Sequence, residues 1–197
     1  MNKKSVSATI LILFMSLFFA VVGSSFYYFE YYSKRTLVDN IGLLYDDKIS
    51  IFYDKEFKES ANQLKLSKME LGLKPATGEI DSETQIPSTI TDEGTSEGYY
   101  ATVYVKTQGN FRIQLSNIKI ESDHDELLIE EERKNIFVGI KDLKNSVKTL
   151  ENDGVEICRY SDVSEPIEIT FLIWLGSLAS DELEGAKISF DIKFVSI

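Results

Sequence analysis

A chain of 197 residues holds one ordinary domain once an N-terminal segment is set aside, and its 43% hydrophobic content, with twelve Phe, ten Tyr and one Trp, excludes wholesale disorder. Setting aside residues 1–35, with four bases and one acid, leaves 17 bases against 31 acids, a net charge of −14. A domain that acidic repels phosphate backbones and anionic lipid head groups, which argues against a nucleic-acid binder or a peripheral membrane binder. The lone Cys158 rules out an intramolecular disulfide, so stability has to come from the core.

Residues 5–29 carry no charge and lie between Lys3 and Lys4 on one side and Glu30, Lys34 and Arg35 on the other. As a helix this run is about 37 Å long at ~1.5 Å per residue, against a hydrocarbon core of ~30 Å. Phe26, Tyr27, Tyr28, Phe29, Tyr31 and Tyr32 follow its densest part, a cluster suited to a membrane interface. The short N-terminus ahead of a long acidic domain predicts a transmembrane signal-anchor over 1–32, placing the protein in the cell membrane as a single-pass chain with its C-terminal domain outside. The competing reading is a signal peptide cleaved near residues 23–28, where Gly23, Ser24 and Ser25 are small, releasing a secreted domain. No A-x-A sequence is present there, and retention is the expectation.

Residues 33–48, aromatic and polar by turns, predict a juxtamembrane stalk that continues the helix until Gly42 weakens it. The exported domain is expected over 49–197, beginning with a short strand at 49–53 and a charged helix at 55–63. Leu64, Leu66, Met69, Leu71 and Leu73 predict a further strand with a bulge near Ser67 and Lys68. Residues 75–98 hold Gly78, Pro87, Gly94 and Gly98 among Thr, Ser, Asp and Glu and form a long polar loop.

Beyond it Tyr99, Ala101, Val103 and Val105 alternate with Tyr100, Thr102, Tyr104 and Lys106. Gly109-Asn110 then predicts a hairpin turn into Phe111, Ile113 and Leu115, with a register shift around Ser116 and Asn117 before Ile118 and Ile120. Residues 123–134 predict a short helical excursion. Strands are expected at Ile136, Val138 and Ile140, at Val155, Ile157 and Tyr160, over 167–175 and over 188–194, with a turn at Asn152-Asp-Gly154. Such spacing predicts an all-β antiparallel sandwich behind the single N-terminal transmembrane helix.

With one His and one Cys there is no H-E-x-x-H or C-x-x-C zinc pattern, and neither G-x-S-x-G nor a phosphate-cradling glycine loop occurs. No catalytic, cofactor-binding or metal-ligating residue is assigned. Asp123, Asp125 and Glu126 around His124 offer oxygens of the kind calcium takes, but without EF-hand spacing a solvated acidic loop is the expected reading, as it is for Asp181, Glu182 and Glu184. Cys158 is expected as a small core residue and Trp174 as core or interface filler, against the rival readings of a reactive thiol and a glycan-stacking platform.

Ile173-Trp-Leu-Gly176, Ser180-Asp-Glu-Leu-Glu-Gly185 and the alternating 188–194, together with Tyr104-Val-Lys-Thr-Gln-Gly-Asn110, resemble the corresponding strand and turn segments of TasA/camelysin-type bacterial surface proteins. The segment 23–29 is similar to that family's export junction, with Tyr27 or Tyr28 where its cleavage-site Ala would stand, a departure that favours an anchor. The resemblance implies a jelly-roll-like sandwich and a surface or matrix fibre subunit that assembles by strand addition. The metallopeptidase activity ascribed to some members is not carried over, because no His pair is present.

The function expected is therefore a non-enzymatic membrane-anchored cell-surface protein. Its partners are the lipid bilayer, surface or matrix proteins and further copies of itself, and no nucleic acid. Two alternatives stay open: a pilin-like or secretion-apparatus subunit polymerising through its N-terminal helix, and an extracellular module binding a cation or glycan through residues 75–98 or the acids near Asp123.

Overall fold

Two β-sheets face each other across an apolar interior, and the ring of Phe171 from one meets Phe194 from the other edge-on at 6.3 Å. The computed structural model describes residues 3–32, 35–66, 72–90, 97–123, 126–141 and 143–197, and within the first of these the side chains of residues 12–26. The chain divides into two units, Met1–Lys34 and Arg35–Ile197.

The first unit is the helix α1, Lys3–Tyr32, uninterrupted by proline. Large apolar side chains are exposed on every face, among them Leu13, Phe14, Leu17, Phe18, Val21 and Phe26. The hydroxyls of Ser16 and Ser24 fold back to donate to the carbonyls of Leu13 and Val21, at 2.9 and 3.0 Å. Among the described residues no helix is long and apolar enough to cross a membrane.

The second unit is the predicted β-sandwich. Its first sheet has the order β1 (Leu37–Tyr45), β9 (Lys187–Ser196), β4 (Gly109–Glu121) and β7 (Glu156–Val163). The second runs β2 (Ser50–Phe52), β3 (Gly98–Lys106), β8 (Ile167–Leu175), β5 (Ile136–Ile140) and β6 (Lys148–Thr149). Period-two side chains fill the interior: Val103 and Val105, Ile113 and Leu115, Ile188 and Ile192 are all fully buried. A short helix, α2 (Glu126–Glu132), sets Ile129 against that interior before β5. The expected register shift in β4 is a bulge between Ser116 and Lys119, where Asn117 takes φ 54° and donates its amide to Asp191 at 2.5 Å.

Several expectations are corrected. The described part of the stalk expected over 33–48 belongs to the sandwich, because β1 pairs into the first sheet with Val38, Ile41 and Leu43 buried. Gly42, expected to weaken a helix, pairs with Asp191, whose carboxylate occupies the space a β-carbon would need. The sandwich is not wholly antiparallel either, since β1 runs parallel to β9. Alternation says which residues face inward but not which strand lies alongside.

The helix expected over 55–63 does not form. The Asp54 carboxylate accepts from the backbone N–H groups of Glu56, Lys58 and Glu59, a local turn that competes with helical pairing, and Phe57 sits at φ 57°. At Gly109-Asn110 the chain crosses between sheets instead of making a hairpin, so β3 pairs with β2 and β8 while β4 pairs with β7 and β9. No strand forms over the described part of 64–73. Leu64 and Leu73 instead donate their N–H groups to the carbonyls of Ile41 in β1 and of Thr36 just before it, and Ser67, Lys68, Met69 and Leu71 lie outside the described residues.

Candidate functional site

The backbone around residues 59–64 forms a strap along one side of the sandwich. The Tyr53 N–H donates to Glu59 O and the Ala61 N–H to Ile51 O, which covers the outer edge of β2. The Leu43 N–H donates to Asn62 O and the Leu64 N–H to Ile41 O, which covers the outer edge of β1. One segment thus satisfies the exposed edges of both sheets. The Tyr53 hydroxyl donates to Gln63 O at 2.7 Å, and the Lys65 ammonium sits 3.8 Å from the Tyr53 ring centroid, clamping the strap's end.

The opposite side is different. β6 is two residues long, whereas β7 runs for eight and, among the described residues, pairs only with β4. Its outer edge therefore presents unpaired backbone groups to any added strand. Glu156 and Arg159 form a two-point ion pair on this strand, at 3.0 and 3.3 Å, and Asp162 at φ 55° ends the regular ladder, its N–H taken by the Asn110 side chain at 2.8 Å. Charge and a kink are the ordinary protections of an edge strand.

Residues 75–90 do not stand off the domain as a free loop. Ala76, Ile86 and Ile90 are buried against Leu172 and Trp174 on the outer face of β8, so that strand is covered on both sides. The Asp81 carboxylate accepts from the N–H groups of Glu83 and Thr84 and from the Thr84 hydroxyl, which holds its pKa below the usual carboxylate value and turns the segment back on itself. The Trp174 indole stacks on Phe137, and Gly139 leaves room for its far edge. Beside it lies a pocket of about 250 Å3 whose mouth carries the exposed Ile80 and Leu178. Trp174 itself is 2% exposed, so it fills the outer core and offers no stacking platform for a sugar.

Cys158, on β7, packs against the interior, and burial pushes its thiol up to about 12, with the nearby Glu156 carboxylate adding to the shift. It is neutral at ordinary pH and so a poor nucleophile. Asp123 and Glu126 are described, whereas His124 and Asp125 lie outside the described residues. Asp181 and Glu182 lie in a helical turn whose N–H groups are capped from Ser180. Among the described residues no group of three His, Cys, Asp or Glu side chains is placed to hold a metal ion. The edge of β7 and the turns at the ends of the sandwich are the surfaces that sequence reasoning left unassigned. No family model, no curated protein and no solved structure matches this chain.

Proposed function

We propose that this chain is a non-enzymatic, membrane-anchored cell-surface protein, with α1 as its signal-anchor and the sandwich outside the cell making surface or matrix contacts. The observation that carries the reading is the surface of α1 over residues 12–26, apolar on every face with the hydroxyls of Ser16 and Ser24 satisfied inside the helix. A helix hydrophobic all round belongs in an apolar medium, and the charge-free run of residues 5–29 extends it to a spanning length. The strand orders β1-β9-β4-β7 and β3-β8-β5-β6 interleave as the two sheets of a jelly roll do, which supports the fold implied by the TasA/camelysin resemblance. The parallel β1/β9 pair departs from it. Assembly by strand addition uses the outer edge of β7 between its Glu156–Arg159 ion pair and the kink at Asp162, the longest edge the strap leaves uncovered.

Alkaline carbonate extraction of cells making the full chain, followed by protease treatment of the intact cells, tests the anchor. The chain is expected in the membrane pellet, with its domain accessible from outside. Recovery in the soluble fraction, or a domain protected until the cells are lysed, sinks the reading. Electron microscopy of the full chain tests assembly, and particles that stay single at high concentration remove the fibre.

A further inference from the structure

The end of the sandwich away from Arg35 gathers the turn between β1 and β2, the crossing from β3 to β4 and the turn between β7 and β8. An open pocket of about 620 Å3 lies there, and its polar lining is Lys48, Ser50, Lys106, Thr107, Gln108 and Ser164. None of these is a carboxylate. Lys55, Lys58, Lys65 and Lys144 are each paired with a glutamate, whereas Lys48 and Lys106 make no ion pair among the described residues. In a domain of net charge −14, a pocket with two lysines and no acid in its wall runs against the surrounding field.

The fold fixes this arrangement. The buried Thr107 hydroxyl donates to the Lys48 carbonyl at 3.1 Å and ties the first turn to the crossing. Ser50 and Lys106 stand opposite each other in the β2/β3 ladder, and the Lys106 ammonium lies 5.7 Å from the Phe57 ring centroid. The Asp46 carboxylate, two residues before Lys48, accepts from Ser196 and from the Lys48 backbone N–H, and it contributes no wall to the pocket.

We propose that this pocket binds a phosphate monoester carried on a small polyol or sugar. Two lysines act as point charges that match a dianion, and Ser50, Gln108 and Ser164 add neutral donors. Phe52 and Pro166 complete the wall with apolar surface for a carbon skeleton. The volume falls in the range of small-molecule sites and exceeds what a bare anion fills. Binding here goes beyond the anchoring role and stands or falls without it.

The test is a titration of the full chain in non-ionic detergent with glycerol 3-phosphate at constant ionic strength, read by amide chemical shifts. Saturable shifts are expected at Lys48, Ser50, Thr107 and Ser164. K48Q/K106Q is expected to weaken binding at least tenfold, K48Q and K106Q singly by about threefold each, and K193Q on β9 not at all. Absence of saturable shifts, an unchanged response in both single variants, or an equal response to acetate overturns the assignment.

Discussion

The indole of Trp174 lies 11° from parallel with the ring of Phe137, centroids 5.6 Å apart, beneath a cover made by Ala76, Ile86 and Ile90. Trp174 is the only tryptophan in the chain, so its emission reports that cover alone. A β-carbon at Gly78 would stand 2.7 Å from the backbone nitrogen of Thr89, across the two arms of the segment, and backbone cannot swing aside. Gly78→Ala is therefore expected to shift the emission to the red and raise acrylamide quenching, with the sandwich's far-ultraviolet circular dichroism retained. Unchanged quenching would show that the cover does not depend on that close approach.

Cys158 makes a prediction at alkaline pH. Its thiol titrates at about 12 in the folded state, raised above the unfolded value of about 8.5, so the stabilisation it provides is full below about pH 8.5 and is lost as pH rises toward 12. Cys158→Ala is expected to flatten the alkaline fall in unfolding free energy across that window. Native protein should resist iodoacetamide at pH 8 and react once unfolded in urea.

Asp46 works in the other direction. Its carboxylate accepts from the Ser196 hydroxyl at 2.5 Å, the Ser196 N–H at 2.9 Å and the Lys48 N–H at 3.0 Å, and the Ser196 hydroxyl is the main cause of its lowered pKa. Stability from this group is present above the unfolded value of about 3.9 and is lost as pH falls through the lower folded value. Asp46→Asn is expected to cost about 1 kcal/mol at pH 7 in urea unfolding, with the difference from the parent narrowing in acid.

The contact between Phe171 and Phe194 joins the sheets. Both rings are essentially unexposed, so Phe171→Ala is expected to cost about 3–5 kcal/mol. A double-mutant cycle with Phe171→Leu and Phe194→Leu should show a coupling of about 1 kcal/mol, which additivity of the two changes would contradict.

Much of the sandwich is legible in the sequence because its strands alternate cleanly. The pairs Val103 and Val105, Ile113 and Leu115, Ile188 and Ile192 mark the inward face without help from neighbours. β1 is harder to read, since the bulge between Val38 and Asn40 breaks its period and its apolar residues follow directly on a helix. The burial of β8 on both sides is written in the unbroken run of residues 171–175, a pattern that belongs to covered strands. The cationic pocket leaves no local trace: Lys48, Lys106 and Ser164 are far apart in sequence and meet only because the chain crosses between sheets.

The place of β9 bears on when the domain can form. It lies between β1 and β4, pairing parallel with one and antiparallel with the other, so the first sheet has no continuous ladder until residues 187–196 are present. Synthesis delivers β1 early and its sheet partner late, with some 140 residues between them. That ladder therefore closes over a long stretch of chain, and formation of the first sheet waits for β9 whatever the intervening strands have done.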